Sequence, residues 1–260
     1  MKKFFMMTRG RTGSIAVIDS LNKTRSITTA QELFIKYKVN KKSSHAIKQS
    51  ERIISRYDIW RQQNAGLLSI ISEKLLRSDA LIIQYLDEVE SSVKKSGVDA
   101  FGFKVISHHF KQRPGLKENL VKRGYSVVYL TRNIPRQVIS GIVAKKRGKY
   151  NAHEKENYQN DSSFLIDIDN FRSLIELEQK SQQEDLTLLQ AMGIDYTVIR
   201  YEDFVSNPDQ LFSDIMSFLN LPSEKAPKSS YSIMIENLNN TIENYEQVRE
   251  CTKQLGMSLD

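Results

Sequence analysis

Strand-like runs alternate with segments of helical periodicity along this chain of 260 residues. The strand-like runs lie at residues 4–7, 25–29, 101–107, 126–132 and 195–201. Between them, apolar residues recur at the spacing that places them on one face of a helix. This alternation predicts an α/β fold in which a doubly wound parallel sheet is flanked by helices.

Two segments depart from this alternation. Residues 38–97 begin with a polar, basic linker and continue with a helical periodicity that includes Trp60, so they predict a helical insertion on one flank of the sheet. Residues 145–170 are polar and charged, and a loop of this length in a compact domain is usually a lid or a binding loop. We therefore expect a single domain over residues 1–260, with a helical insertion and a lid or acceptor loop.

The formal net charge of +7 suits an anionic ligand, but it suits nucleic acid or a membrane surface equally well. No apolar run approaches the ~20 residues that span a bilayer, and no recognised nucleic-acid-binding motif occurs. Cys251 is the single cysteine, which excludes an internal disulfide and fits a reducing compartment. The apolar run after Met1 is too short for a signal peptide, so we expect a cytoplasmic protein with no membrane span and no nucleic-acid partner. Nothing in the sequence indicates the oligomeric state.

The loop after the first strand-like run is the candidate anion site. It contains Arg9 and Arg11, followed by the small residues Thr12, Gly13 and Ser14. A strand, a tight loop and a helix together point backbone N–H groups and a helix N-terminus at an anion. Ser14 can cap the helix or contact the anion directly, and both arginines add fixed positive charge that matches phosphate oxygens. The loop has neither the Lys of a Walker A motif nor the three-glycine spacing of a dinucleotide fingerprint.

Residues 11–14, Arg-Thr-Gly-Ser, resemble the 5′-phosphosulfate loop of sulfotransferases, with Ile15 where a second hydroxyl is usual. Arg132 ends a predicted strand, and Ser140 lies eight residues later in the following helix, which is the spacing of the 3′-phosphate-binding pair of that family. Residues 196–219 resemble the strand and helix that close the family's core. The resemblance is nearest to bacterial carbohydrate sulfotransferases, including the trehalose type.

This resemblance implies a P-loop-NTPase-like sheet and 3′-phosphoadenosine 5′-phosphosulfate (PAPS) as the donor, with no metal. It implies that the backbone of residues 12–14 holds the 5′-phosphate and that Arg132 and Ser140 bind the 3′-phosphate. Arg11 would then neutralise charge on the bridging oxygen as the S–O bond breaks. The acceptor is expected to be a hydroxyl of a carbohydrate or another small metabolite.

The reaction also needs a general base for the acceptor proton. Glu32 is the first candidate, because its Gln-Glu-Leu-Phe context resembles the stretch that carries the Glu base in trehalose-type enzymes. His108 and His109 are the alternatives, because cytosolic enzymes of the human type use a His after the corresponding strand. Both histidines are expected in a loop just past the strand over residues 101–107.

Other functions stay open at this point. A catalytically inactive PAPS-binding module is compatible with Ile15 in the loop. A nucleotide kinase would share the fold and the anion loop, but it leaves Arg132 and Ser140 without a role. A nucleic-acid-binding protein would use the basic net charge, but the basic residues are dispersed along the chain.

Overall fold

A parallel sheet forms the centre of the computed structural model, which describes residues 1–36, 54–64, 78–148, 163–231, 235 and 237–259. Its strands are β1 (Lys2–Thr8), β2 (Ile27–Ala30), β3 (Ala100–Val105), β4 (Ser126–Thr131) and β5 (Tyr196–Arg200). They pair in the order β2-β3-β1-β4-β5, and every pairing is parallel. The predicted α/β fold with a parallel sheet is therefore confirmed.

Helices connect the strands and continue after the last of them. In the described part of the chain they are α1 (Ser14–Leu21), α2 (Tyr57–Asn64), α3 (Ser78–Lys94), α4 (His108–Gln112), α5 (Leu116–Lys122), α6 (Ile134–Arg147), α7 (Ile168–Met192), α8 (Tyr201–Ser206), α9 (Pro208–Phe218), α10 (Leu238–Thr241) and α11 (Tyr245–Gln254). The connections β1-α1-β2 and β3-α4-α5-β4 return the chain in parallel, as a doubly wound sheet requires.

The central strand β1 is apolar on both of its faces, so helices cover both faces of the sheet. Phe4 and Met6 belong to the core cluster on the side of α1 and α9, while Phe5 and Met7 belong to the cluster formed with α3, α5 and α7. Successive side chains of a strand point to opposite faces, so one short run supplies both cores. A third apolar cluster joins α6, α7 and α11.

The segment predicted as a helical insertion contains α2 and α3, and residues 38–53 and 65–77 of it lie outside the described residues. Trp60 of α2 is buried and its indole N–H donates to Glu88 at 2.6 Å. The rings of Tyr57, Trp60 and Tyr85 pack against one another at centroid distances of 5.4–6.2 Å. These aromatic contacts attach α2 to α3, and Phe34, which packs on both Tyr57 and Phe103, links them to the sheet.

Several predicted boundaries differ from the structure. The strand predicted to end at Arg132 ends one residue earlier, and Asn133 caps the start of α6 by accepting a hydrogen bond from the backbone N–H of Arg136. Tyr201 was predicted at the end of a strand but begins α8. The predicted loop over residues 145–170 is shorter at both ends because α6 and α7 extend into it, and its residues 149–162 lie outside the described residues.

Candidate functional site

The loop between β1 and α1 lies at the middle of the sheet's carboxyl edge. Arg11 and Gly13 both adopt left-handed backbone conformations, with φ of 66° and 79°. Gly13 is the N-cap of α1, so Ser14 is its first residue and not its cap as one sequence alternative had it. A Cβ atom on Gly13 would lie 2.1 Å from the ring of Tyr201. The tight turn therefore requires glycine for both its conformation and its space.

The two predicted halves of the nucleotide site meet at this loop. The Nε and Nη2 atoms of Arg11 donate to the Ser140 hydroxyl at 3.3 and 3.1 Å. Arg132 Nη1 donates to the backbone carbonyl of Arg11 at 2.9 Å. Because β4 is the immediate neighbour of β1, the end of β4 and the second turn of α6 reach the loop directly. The structure thus brings together Arg11, Arg132 and Ser140, which are up to 129 positions apart in the chain.

Arg132 is a poorly compensated cation. Its guanidinium lies over the ring of Tyr201 at 4.9 Å, and its Nε atom is buried without a hydrogen-bond partner. Burial lowers the pKa of Arg132, and among the described residues it makes no ion pair. The charge of Glu202 partly offsets this effect on the pKa of Arg132, but Glu202 forms no ion pair with it and instead accepts the backbone N–H of Asn133 at 2.9 Å. A guanidinium that is buried and has no ion-pair partner in the described part of the chain favours an anionic ligand.

The second loop arginine, Arg9, has a different role. Its Nε atom lies 2.5 Å from Glu178 and its Nη1 atom 3.4 Å from Asp185, both on α7. Gln137 of α6 donates to Glu178 and to the carbonyl of Gly10, each at 2.8 Å. The positive charge that the sequence predicted for Arg9 is therefore balanced by two carboxylates, and Arg9 anchors the loop.

Sequence reasoning missed the α7 partners of this anchor. Glu178 and Asp185 are seven residues apart, which places them on the same face of a helix. That spacing was visible in the sequence, but seven-residue pairs of acidic residues are common on exposed helix faces. Only the packing of α7 against the end of β1 identifies this pair.

The candidate bases form a second group beyond β2 and β3. Glu32 follows β2, and its carboxylate lies 2.7 Å from Lys104 Nζ and 3.8 Å from His109 Nε2. The Lys104 side chain is only 8% exposed, while that of Glu32 is 19% exposed. The carboxylate is therefore held in place by a buried cation and remains accessible at one side.

The two histidines are not equivalent. They are the first residues of α4, so the prediction of a loop at this point is wrong. His109 is fully buried, and its Nδ1 atom accepts the backbone N–H of Ile106 at 3.3 Å. Burial, followed by the proximity of His108, lowers the pKa of His109 to about 4, so its ring is neutral near pH 7. His108 is exposed and lines a cavity of about 810 Å³ between α4, α5 and α7.

No group of three or more His, Cys, Asp or Glu side chains in the described ranges has the arrangement of a metal site. Within the same ranges, no helix has the length and apolar character needed to cross a membrane.

Comparison with known proteins gives structural likeness without sequence likeness. No protein-family model matches the chain, and no curated protein matches its sequence. The chain is similar to the crystal structure of a sulfotransferase from Alicyclobacillus acidocaldarius, at 13% identity and a TM-score of 0.45, over 98% of this chain and 94% of that one. It is similar to the sulfotransferase domain from the curacin biosynthetic pathway, at 14% identity and a TM-score of 0.48, over 100% of this chain and 99% of that one.

A mouse sulfotransferase, SULT7A1 complexed with PAP, is similar at 10% identity and a TM-score of 0.42, over 86% of this chain and 61% of that one. Identities and scores at this level do not carry an argument about activity. The function has to be argued from the side chains that the fold brings together.

Proposed function

We propose that this protein is a sulfotransferase that moves a sulfuryl group from PAPS to a hydroxyl acceptor. The observation that carries the proposal is the meeting of Arg11, Arg132 and Ser140 at the loop before α1. A helix N-terminus, two guanidinium groups and a hydroxyl donor at one place suit a ligand with more than one anionic group.

The donor is proposed to bind along the edge from β1 to β4. The backbone N–H groups of residues 12–14 and the N-terminus of α1 suit the 5′-phosphosulfate. Arg132 and Ser140, on the β4 side of the loop, suit the 3′-phosphate. The Ser140 hydroxyl accepts from Arg11, so its own O–H remains available to donate to the 3′-phosphate. The buried and poorly compensated charge of Arg132 supports the same assignment.

The proposed chemistry is an in-line displacement at sulfur. The acceptor oxygen forms a bond to sulfur, while the bond from sulfur to the bridging phosphate oxygen breaks. Adenosine 3′,5′-bisphosphate (PAP) leaves, and the acceptor proton passes to a base. Arg11 would stabilise the negative charge that develops on the bridging oxygen, so its contribution would be larger in the transition state than in the bound donor.

Glu32 is the proposed base, and His108 is the second candidate. The sheet order supports an acceptor on the β2–β3 side of the loop, because the proposed 3′-phosphate residues occupy the β4 side. Lys104 fixes the Glu32 carboxylate from a buried position, which orients it without covering it. His109 does not suit this role, since its ring is fully buried and its Nδ1 atom is used by the backbone.

The nucleotide assignment can be tested by thermal unfolding with PAP, AMP and ATP as separate ligands. We expect PAP to raise the Tm far more than AMP or ATP, because only PAP carries the 3′-phosphate that Arg132 and Ser140 would bind. The Arg132→Ala variant should weaken PAP binding by about 2–3 kcal/mol, or roughly 30- to 140-fold in Kd.

Arg200→Ala is the matched control, since Arg200 also ends a strand but its side chain is 59% exposed. It should leave PAP binding unchanged. Equal Tm shifts for the three nucleotides would contradict the proposal. Specific binding of PAP without turnover of any hydroxyl acceptor would instead identify an inactive PAPS-binding module.

A further inference from the structure

Glu202 lies at the start of α8, beside the arginine proposed to bind the 3′-phosphate. Its Oε1 atom accepts the backbone N–H of Asn133, the residue after Arg132, at 2.9 Å. Tyr201, the residue before Glu202, has its ring 4.9 Å from the Arg132 guanidinium. Burial lowers the pKa of Arg132, and the charge of Glu202 partly opposes this effect, so the two groups are electrostatically coupled. The carboxylate and the guanidinium therefore belong to one junction, where the end of β4 meets the start of α8.

The second oxygen of this carboxylate lacks a strong donor. Oε2 of Glu202 is buried and accepts no hydrogen bond from the described residues, and its ion-pair contact to Nε of Arg200 is 3.8 Å long. That arginine side chain is 59% exposed, so the contact contributes little. Arg132 does not supply the donor, because its Nη1 atom donates to the carbonyl of Arg11 and its Nε atom is unpartnered within the same ranges. A buried carboxylate oxygen without a donor costs free energy, so Glu202 is suited to accept a hydrogen bond from a ligand.

The chemistry of the carboxylate limits which part of the nucleotide can satisfy it. A carboxylate accepts hydrogen bonds and donates none, so its partner must carry an O–H or N–H group. The 3′-phosphate is unsuited, since it is itself an anion with acceptor oxygens. The ribose carbon next to it carries the 2′-hydroxyl, which is the only free hydroxyl on the sugar of PAPS or PAP. Carboxylates recognise ribose hydroxyls in this way at dinucleotide sites. The Glu202 side chain is 27% exposed, so it is not enclosed in the core.

We propose that Glu202 accepts a hydrogen bond from the ribose 2′-hydroxyl of the donor nucleotide and thereby selects ribonucleotides over 2′-deoxyribonucleotides. Arg132 and Glu202 then recognise neighbouring positions of one sugar, the first through the phosphate and the second through the hydroxyl. A ligand without the hydroxyl is disfavoured because it leaves the carboxylate oxygen beside a bound phosphate with no donor. This inference rests on the proposed function and adds a residue that determines the specificity of the donor site.

The test compares PAP with 2′-deoxyadenosine 3′,5′-bisphosphate, which differs only in the 2′-hydroxyl, by titration calorimetry on the full chain. We expect the wild-type protein to bind PAP about 10- to 100-fold more tightly, the range for a hydrogen bond to a charged group. Glu202→Gln keeps an oxygen for the Asn133 N–H but replaces the charged acceptor with a neutral amide, so the preference should fall to about 3-fold or less. The ratio of the two Kd values does not depend on a general loss of folded protein, because both ligands bind the same sample.

Asp203→Asn is the matched control, since it removes the same charge from the next, exposed residue of α8 and should keep the wild-type ratio. Equal binding of both ligands by the wild-type protein would overturn the inference. So would an unchanged ratio in Glu202→Gln, even if both Kd values shift, because Glu202 would then act only through its charge and its contact to the Asn133 backbone. If PAP binds no more tightly than AMP or ATP, the proposed function itself fails. Specific binding of PAP together with equal binding of its 2′-deoxy analogue overturns this inference alone.

Discussion

Arg9 and Arg132 show how the surroundings of a residue decide its role. Both lie at the carboxyl ends of neighbouring strands, but Arg9 meets two carboxylates of α7 while Arg132 meets a carbonyl and an aromatic ring. The first arrangement neutralises the charge and fixes the loop. The second leaves a buried charge that an anionic ligand can satisfy. A sequence shows the residue type and the strand end, but it does not show which charges the packed helices bring to it.

The candidate bases also differ in surroundings that the sequence does not show. The sequence placed Glu32, His108 and His109 at strand ends on the same edge of the sheet, and this placement is confirmed. It did not distinguish the histidines, which are adjacent in sequence. Helical geometry at the start of α4 turns His109 into the core and leaves His108 in the cavity. The sequence resemblance identified the candidates, and their burial in the fold distinguishes the exposed His108 from the buried His109.

Substitution of the bases should therefore give a graded result. Glu32→Gln keeps size and hydrogen bonding but removes basicity, so turnover should fall by ~10²–10⁴-fold. Binding of PAP, measured by Tm shift, should not change, because the proposed PAP contacts lie on the other side of the loop. His108→Asn should act mainly through the acceptor KM.

The opposite ranking would move the base to His108 and leave Glu32 as the partner of Lys104. Because Glu32→Gln also leaves the buried Lys104 without its carboxylate, its stability must be measured alongside activity. Full activity of both variants would contradict a protein base at either position.

At the scale of elements, Arg113 joins the α2 segment to the loop between α4 and α5. Its Nη2 atom lies 2.7 Å from Asp58 of α2, and its Nε atom donates to the carbonyl of Phe34 at 3.2 Å. Its guanidinium also lies 5.1 Å from the centre of the Tyr57 ring. The side chain of Arg113 is only 2% exposed, so this is a buried ion pair with supporting contacts. The helical periodicity predicted α2 and α3, but the long-range pair that attaches α2 has no local signature.

Breaking this attachment should cost stability. Arg113→Ala removes the buried ion pair to Asp58 and the hydrogen bond to the Phe34 carbonyl, so we expect a loss of about 3–5 kcal/mol in the free energy of unfolding. Urea titration followed by far-UV circular dichroism would measure it. Arg249→Ala on α11 is the control, because Arg249 and its partner Glu246 are more than 60% exposed and such pairs contribute about 0–1 kcal/mol. A similar small loss for both variants would show that the Arg113 contacts do not stabilise the fold.

At the scale of the whole molecule, strand order explains why the predicted pieces come together. The parallel sheet could be predicted from alternating strands and helices, because each buried run has the length of a strand and each connection that of a crossover. The order β2-β3-β1-β4-β5 could not, since hydrophobic patterning does not say which strands are neighbours. That order puts the loop between β1 and α1 in the middle, Arg132 and Ser140 on one side, and Glu32 and His108 on the other. It gives the proposed donor and acceptor separate halves of one edge.

The global stability should also depend on pH through His109. Its pKa is about 4 in the folded protein and near the ordinary value of 6.5 in the unfolded chain, because burial and the neighbouring His108, Lys104 and Arg113 disfavour the charged ring more than Glu32 favours it. The unfolded state therefore binds more protons between pH 4 and 6.5, and the free energy of unfolding should rise with pH through this window and level off above it. The difference amounts to about 3 kcal/mol.

Urea unfolding of the wild type and of His109→Gln from pH 4 to 7.5 would isolate this contribution as the difference between the two curves. We expect the wild type to lose about 3 kcal/mol more than the variant as the pH falls from 6.5 to 4. His108→Gln removes an exposed ring of the same type and should keep most of the wild-type dependence, because burial of His109 is the larger cause of its pKa shift. Parallel curves for the wild type and His109→Gln would mean that His109 takes up its proton in the folded protein as readily as in the unfolded chain. In that case the histidine would no longer be limited to a structural role, and it would return as a candidate base beside Glu32.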